Sequence, residues 1–423
     1  MKKLFSLVTF VLFAFFMMGC ESDIDTDRIQ ELEDSIVSKN NLIEGYELVL
    51  SDKEENIAEL EDQLSVYEQE ALLLGDYDGY FAITVDLGDE EITRYVRYYD
   101  DVEATLWDLV KVTFDIQYNS TEWGNQITAI HGMDTPYGSY IAFYINDEFA
   151  MTGVESTAFE HQDEYRFVRD WWDSDAKNAY QAIALILDES AEDYIDSLNY
   201  LVLIGLNRLG LLEDYSITLD ETLPETIGGL VSRVFLENAL GLDHTDSTEA
   251  LYEIKTMGHL YTSSMVYTAL KTNPDLDLTS FELQLFEAME NTDVSETDLD
   301  TLSMMLVAAS YFDTPEATAL IGEILEEIEA NLYHSSYGDN AATFANVIIG
   351  LLSVDKNPLS TRYANEAEEN LLEVLVSFQN PDGIFNWTDE PDPTFSTPQA
   401  FLALVMIQEY IRTFTGSNPY LFD

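Results

Sequence analysis

The apolar positions of this chain change their period twice. Over residues 29–74 they recur every seven residues, with Ile29, Ile36, Ile43, Leu50, Ile57, Leu64 and Ala71 in one register and Leu32, Tyr46, Leu60, Tyr67 and Leu74 in the other. That is a coiled-coil seam. Lys39 and Lys53 occupy the same seam, where they cost stability but can fix register or strand number, and no proline interrupts the stretch. At 1.5 Å per residue the rod is about 70 Å long. From Gly79 the period falls to two: Phe81, Ile83 and Val85 alternate with polar neighbours, Gly88-Asp89 marks a turn, and 92–99 is a second β-rich run. This predicts a hairpin. Helical spacing of Ala104, Leu106, Trp107, Leu109 and Val110 follows, then strand candidates at 126–130, 140–145 and 164–168. Two strands, a helix and more strands predict a small, grasp-like α+β domain.

After Trp171-Trp172 the β signal ends and amphipathic helix patterns run to the C-terminus, separated by short Gly, Pro, Asp and Asn punctuation. They carry an internal repeat. Asn178, Ser263 and Thr397 each open a helix with Ala and Leu six and seven residues on, at Ala184-Leu185, Ala269-Leu270 and Ala403-Leu404; Thr301 and Thr343 open close variants. Such helices, apolar nearly all round, are expected to be buried on every side. They alternate with acidic, one-sided helices expected at 315–332 and 363–378. Apolar inner helices alternating with amphipathic outer ones every 40 to 50 residues or so predict an α/α toroid, a closed relative of the helical solenoid.

The N-terminus adds a second kind of signal. Lys2 and Lys3 precede a nearly continuous apolar run over 4–18, and Gly19 leads into Cys20, the single cysteine of the chain. The run is shorter than the ~20 residues a spanning helix needs, and Glu21-Ser22-Asp23 follow it. The segment resembles a bacterial lipoprotein signal, with Met17 where Leu is usual. The resemblance implies cleavage before Cys20, its lipidation, and localisation at the extracytoplasmic face of the cell membrane. The coiled coil then reads as a stalk that holds the remainder clear of the envelope and can pair it into a homo-oligomer. The sequence accordingly divides into a signal peptide (1–19), a lipid-anchored stalk (20–74), the α+β domain (75–170) and the toroid (171–423).

Charge narrows the partners. With 18 Lys+Arg against 81 Asp+Glu the formal net charge is −63, which repels nucleic acid and anionic polymers. The acidic excess reads as a solvated shell, screened by salt. Asp76-Tyr77-Asp78-Gly79 is too short for an EF-hand loop, and no metal site is expected. A lone cysteine permits no internal disulfide.

Two families resemble parts of the chain. Residues 140–153, an aromatic strand entering a turn at Asn146 with Gly153 a few residues on, followed by the aromatic strand at 163–167, resemble the bacterial domain family similar to the C-terminal domain of transcobalamin and intrinsic factor. Residues 374–378, Asp382-Gly383-Ile384-Phe385 and 396–404 look like a repeat of the terpenoid cyclase and prenyltransferase toroids. Transcobalamin and intrinsic factor place such a toroid before the β-rich domain; here the order is reversed. The resemblance implies capture of cobalamin or a related corrinoid, without catalysis, for delivery to a membrane transporter.

Other chemistries lack their residues. A prenyltransferase zinc needs Asp, Cys and His, and the one cysteine is the lipidation site; a thioester fails for the same reason. A terpene cyclase needs a strongly acidic Asp cluster, for which Asp298-Leu299-Asp300-Thr301 lacks adjacent paired aspartates, and Asp300 reads as a helix N-cap. A carbohydrate-active enzyme needs a base set or two facing carboxylates, and His131, His161, His244, His259 and His334 form no constellation. That enzyme class and a surface adhesion protein are the alternative functions, and no catalytic residue is assigned. For ligand binding the candidates are Asn178, Gln181, Asn340, Asn346 and Gln399 at expected starts of inner helices, with Tyr144 and Asn146 on the α+β domain. Each also has a plain structural reading as a cap, a turn or a satisfied core amide.

Overall fold

A computed structural model describes residues 76–420, apart from 87, 89–90, 101–102, 122–123, 213–214, 216, 221 and 335–339. The expected signal peptide, Cys20 and the expected coiled-coil stalk lie outside the described residues. It has a small mixed β-sheet part and a helical C-terminal part. Among the described residues no helix is long and apolar enough to cross a membrane.

The strands are β1 (Gly79–Asp86), β2 (Glu91–Tyr98), β3 (Ile116–Thr121), β4 (Gly124–Ile130), β5 (Met133–Asp134), β6 (Ser139–Ile145), β7 (Glu148–Phe149) and β8 (Glu164–Trp171), with helix α1 (Leu106–Thr113) between β2 and β3. They form a five-stranded sheet of order β2-β1-β8-β6-β7 and a three-stranded sheet of order β3-β4-β5. Every expected strand is present. β3 was not expected, because Gln117, Asn119, Ser120 and Thr121 are exposed polar residues without alternation; it exists by pairing with β4 across a bulge at Gln117/Tyr118. Asn146 (φ 50°) and Asp147 (φ 66°) form the two-residue turn between β6 and β7. Both positions need the left-handed region that Asn and Asp tolerate best after glycine.

The described chain divides into two compact units, one of residues up to 83 with 93–113 and 157–165, the other of 84–92, 114–156 and 166 onward. In the first, Phe81 packs edge-on against Tyr165 and tilted against Phe159, both at 5.2 Å between ring centres. Leu106, Trp107 and Val110 of α1 are buried.

The second unit holds the helices α2 (Ser174–Asp196), α3 (Tyr200–Arg208), α4 (Ile227–Ala239), α5 (Thr245–Ile254), α6 (Leu260–Leu270), α7 (Thr279–Glu290), α8 (Leu299–Ala309), α9 (Pro315–Asn331), α10 (Ala341–Ser353), α11 (Leu371–Val376) and α12 (Ser396–Thr413). Their burial separates two classes. Every residue of α10 from Ala341 to Leu352 is buried, as is every residue of α12 from Ser396 to Ile407, whereas α7 buries only Phe281, Leu285 and Met289, four residues apart on one face. Helices α3, α4, α6, α8, α10 and α12 touch in that order and α12 touches α3 again, so the order of neighbours closes on itself. They run in one direction. Asp300 meets Asn346 near the starts of α8 and α10, and Arg208 meets Glu409 near the ends of α3 and α12. At Gly350 a Cβ would lie 2.9 Å from the Ser303 carbonyl oxygen, so glycine lets α10 approach α8 closely.

Caps explain the boundaries. Asp173, Asn199, Thr226, Asp298, Thr314 and Asn340 each accept a first-turn N–H with the side chain, each contributing about 1 kcal/mol. The helix expected over 363–378 is broken, since the Asn365 side chain accepts from the N–H groups of Ala367 and Glu369 instead. Only at Asn370, with Glu373 in a capping box, does helix resume as α11.

Candidate functional site

The starts of the ring helices gather the polar residues. On α10, Asn340 is the N-cap: its Oδ1 accepts from Thr343 N at 2.9 Å and its Nδ2 donates to Thr343 Oγ1 at 3.1 Å. Thr343 Oγ1 donates in turn to Asp300 Oδ2 at 3.3 Å, and Asn346 Nδ2 donates to Asp300 Oδ1 at 2.9 Å. Three residues at spacing three thus face α8 along one side of α10. The cap expected at Asp300 is instead Asp298, which accepts from Thr301 N and Thr301 Oγ1 at 2.8 Å each. Asp300 stands in the first turn beyond it and is free to bond across to α10.

Burial pushes the Asp300 carboxyl above the ordinary carboxylate range; the bond from Asn346 opposes this, the charge of Asp298 adds to it, and the bond from Thr343 opposes it. The phenol of Tyr261, in the first turn of α6, is pushed up to about 12 by burial and then by the charges of Asp300 and Asp298. One turn further, the Ser264 hydroxyl is buried without a hydrogen-bond partner among the described residues. Gln399, on α12, is 5% exposed and its Oε1 has no partner among the described residues. Thr397, two positions earlier, accepts from Phe385 N at 2.9 Å and donates to Asp392 O. Two helical steps rotate by about 200°, so Gln399 projects from the opposite side of α12.

The structure therefore brings Asn340 and Asn346 together through Asp300, and sets Gln399 near the start of the helix beside α10. It does not bring in the others. Asn178 is half-buried and Gln181 exposed on α2, a helix that turns only one face, through Ala176, Ala179, Ala182, Ile183 and Ile186, to the core. The helix expected to open at Asn178 and be buried all round is not found: α2 is one-sided, and α3, too short to show the repeat, is the one buried over six consecutive residues. Asn146 is exposed at the β6–β7 turn, and Tyr144 is half-buried against Phe149. Asp300, Thr343, Tyr261 and Ser264 were absent from the expected binding set, although the hydroxyls one turn into the repeats were its signal.

Asp300→Asn keeps an acceptor for Asn346 while removing the buried charge. A carboxyl raised in the folded state binds more protons there than in the unfolded chain, so its contribution to stability falls as pH rises from about 4 toward the folded value. Relative to the unaltered protein, Asp300→Asn should therefore gain stability between pH 4 and neutrality. Urea unfolding at pH 4.5 and pH 7 checks this, and an equal effect at both would show that the carboxyl is not perturbed.

No protein family and no curated protein matches the sequence. Among solved structures, a 1.30 Å crystal structure of a "putative metal binding protein" from Ruminococcus gnavus is similar at 17% identity and a TM-score of 0.21, over 23% of this chain and 100% of that one. Among the described residues no group of three or more His, Cys, Asp or Glu side chains is placed to hold a metal ion.

Proposed function

We propose that the protein captures a small, partly apolar molecule at the starts of the ring helices and releases it unchanged. The observation that carries this reading is the buried Oε1 of Gln399, an acceptor without a partner among the described residues. An unmet buried acceptor costs roughly 1–3 kcal/mol, which a ligand N–H or O–H would offset. The half-buried Asp300 and the Tyr261 phenol offer a further acceptor and a donor. In this reading the ring is an α/α toroid and the smaller sheet part a grasp-like domain of the transcobalamin type. A corrinoid, with its apolar macrocycle and amide-bearing rim, is the ligand class that best suits such a set. Lipidated Cys20 and the stalk would hold the protein at the cell membrane, from which a membrane transporter takes the ligand.

The test is co-elution of cyanocobalamin colour with the protein on gel filtration. Gln399→Ala and Asn346→Ala should each weaken binding about fivefold to a hundredfold. Absence of bound colour at saturating cyanocobalamin sinks the corrinoid reading, and product formation from a terpenoid or glycan, lost in Asp300→Ala, would replace capture by catalysis. Anchoring has its own measurement: Cys20→Ser should abolish metabolic labelling by palmitate and move the protein out of the detergent phase. Unchanged labelling excludes the lipid anchor.

A further inference from the structure

A concavity lies at the opposite end of α3 and α12, where these helices finish. It encloses about 450 Å³, within the ~300–1,000 Å³ usual for small-molecule sites. Ile183 and Leu187 of α2 and Leu209 beyond α3 supply apolar wall, and the Tyr180 and Tyr137 rings complete it. The lip is aromatic and open to solvent, since Tyr137 is 38% and Trp172 61% exposed and their rings meet edge-on at 5.4 Å.

The charge of this wall departs from that of the chain. Two acids line it, and each has its own arginine. Asp134 Oδ1 is 3.0 Å from Arg169 Nη2, with Arg169 Nε donating to the Asp134 carbonyl as well. Glu409 Oε2 is 2.6 Å from Arg208 Nη1, and Arg208 Nη2 donates to the Asn418 carbonyl at 3.0 Å, so this guanidinium is fixed at both ends. Arg169 also lies over the Tyr180 ring, at 5.3 Å from its centre. Arg412 then remains. It lines the cleft one turn beyond Glu409, is exposed, and has no ion pair among the described residues. Two arginines, Arg208 and Arg412, line the cleft against two acids, Asp134 and Glu409, so its wall is balanced in charge in a protein with 18 Lys+Arg against 81 Asp+Glu. A guanidinium presents two parallel N–H groups that match a carboxylate, and an aromatic body suits tyrosine walls.

We propose that this cleft binds a small aromatic carboxylate, its anionic head on Arg412 and its ring between Tyr137 and Tyr180. The surrounding acidic surface excludes polyanions at long range, whereas a small monoanion is screened until it reaches the arginines. The site is independent of the one at the starts of the ring helices.

Calorimetric titration of the full-length protein in detergent at low salt, with naphthalene-1-acetate and its uncharged analogue naphthalene-1-acetamide, tests the assignment. The carboxylate should bind about tenfold or more tightly than the amide. Arg412→Gln should bring the carboxylate to the level of the amide with the melting temperature unchanged, because the side chain is exposed. Tyr180→Ala should weaken both probes together. Gln399→Ala, at the other end of the ring, should leave both affinities alone. Equal affinity for the two probes, an unaffected Arg412→Gln, or no heat from either probe at millimolar concentration would overturn the proposal.

Discussion

Phe401→Ala will lower the unfolding free energy of the helical unit by about 3–5 kcal/mol. Phe401 is fully buried in α12, and α12 touches α2, α3 and α10. Its ring rests on Gly205 of α3 so closely that a Cβ there would lie 2.5 Å from the aromatic edge. This glycine and this phenylalanine are complementary in shape, and neither can be changed alone. Truncation leaves a void that neighbours cannot fill, since each inner helix is held from two sides by the closed order of contacts. Gly205→Leu should be destabilising in the opposite sense, by overpacking, at about 1–3 kcal/mol or more. Guanidinium unfolding followed by far-ultraviolet circular dichroism measures both. A cost below about 1 kcal/mol for Phe401→Ala would mean that α12 does not close against α3 and that the ring is open.

The legible part of this fold is the part with a strong, regular signal. The repeated run of small and large apolar residues marked α6, α8, α10 and α12 as helices buried nearly all round, and their burial follows from that pattern. Alternation identified β1, and the left-handed turn at Asn146 was visible from residue type alone. What escaped had no periodicity to show. α3 has six consecutive buried residues in nine, too few for a period to register. β3 is polar along its length. Gln379, which donates to the carbonyls of Ala182 and Gly383 and so ties the chain after α11 to α2, resembles any loop glutamine in sequence. At the candidate site, Asn340, Asn346 and Gln399 were legible because amides interrupt apolar runs. Asp300 was misread as a cap because Asp298, two residues before it, competes for the same role, and only tertiary contact decides between them.

The C-terminal segment was silent in the sequence, yet it ties four ring helices together, and Tyr420→Ala is expected to cost about 3–5 kcal/mol. After α12 the chain crosses the ends of its neighbours. Gly416 N donates to Asp355 Oδ1 just beyond α10; Asn418 Nδ2 donates to Val307 O and Ser310 Oγ at the end of α8; the Asn418 carbonyl accepts from Arg208 of α3. Tyr420 then stacks on Phe235 of α4, with 4.4 Å between ring centres, and is 3% exposed. Losing that ring removes a stacked pair and leaves Phe235, which also stacks with Tyr200, facing a void. The hydroxyl contributes a separate, pH-dependent effect. Burial pushes the Tyr420 phenol well above its ordinary value. Above about pH 10 an unfolded tyrosine loses its proton while this one keeps it, so the folded state binds more protons and stability falls as pH rises. Tyr420→Phe preserves the stack and removes one such group. It should unfold near neutrality much as the unaltered protein does, and lose stability less steeply between pH 10 and 11. Alkaline titration of the melting temperature distinguishes the two effects: a Tyr420→Ala variant as stable as Tyr420→Phe at pH 7 would show that the segment does not bind the ring together.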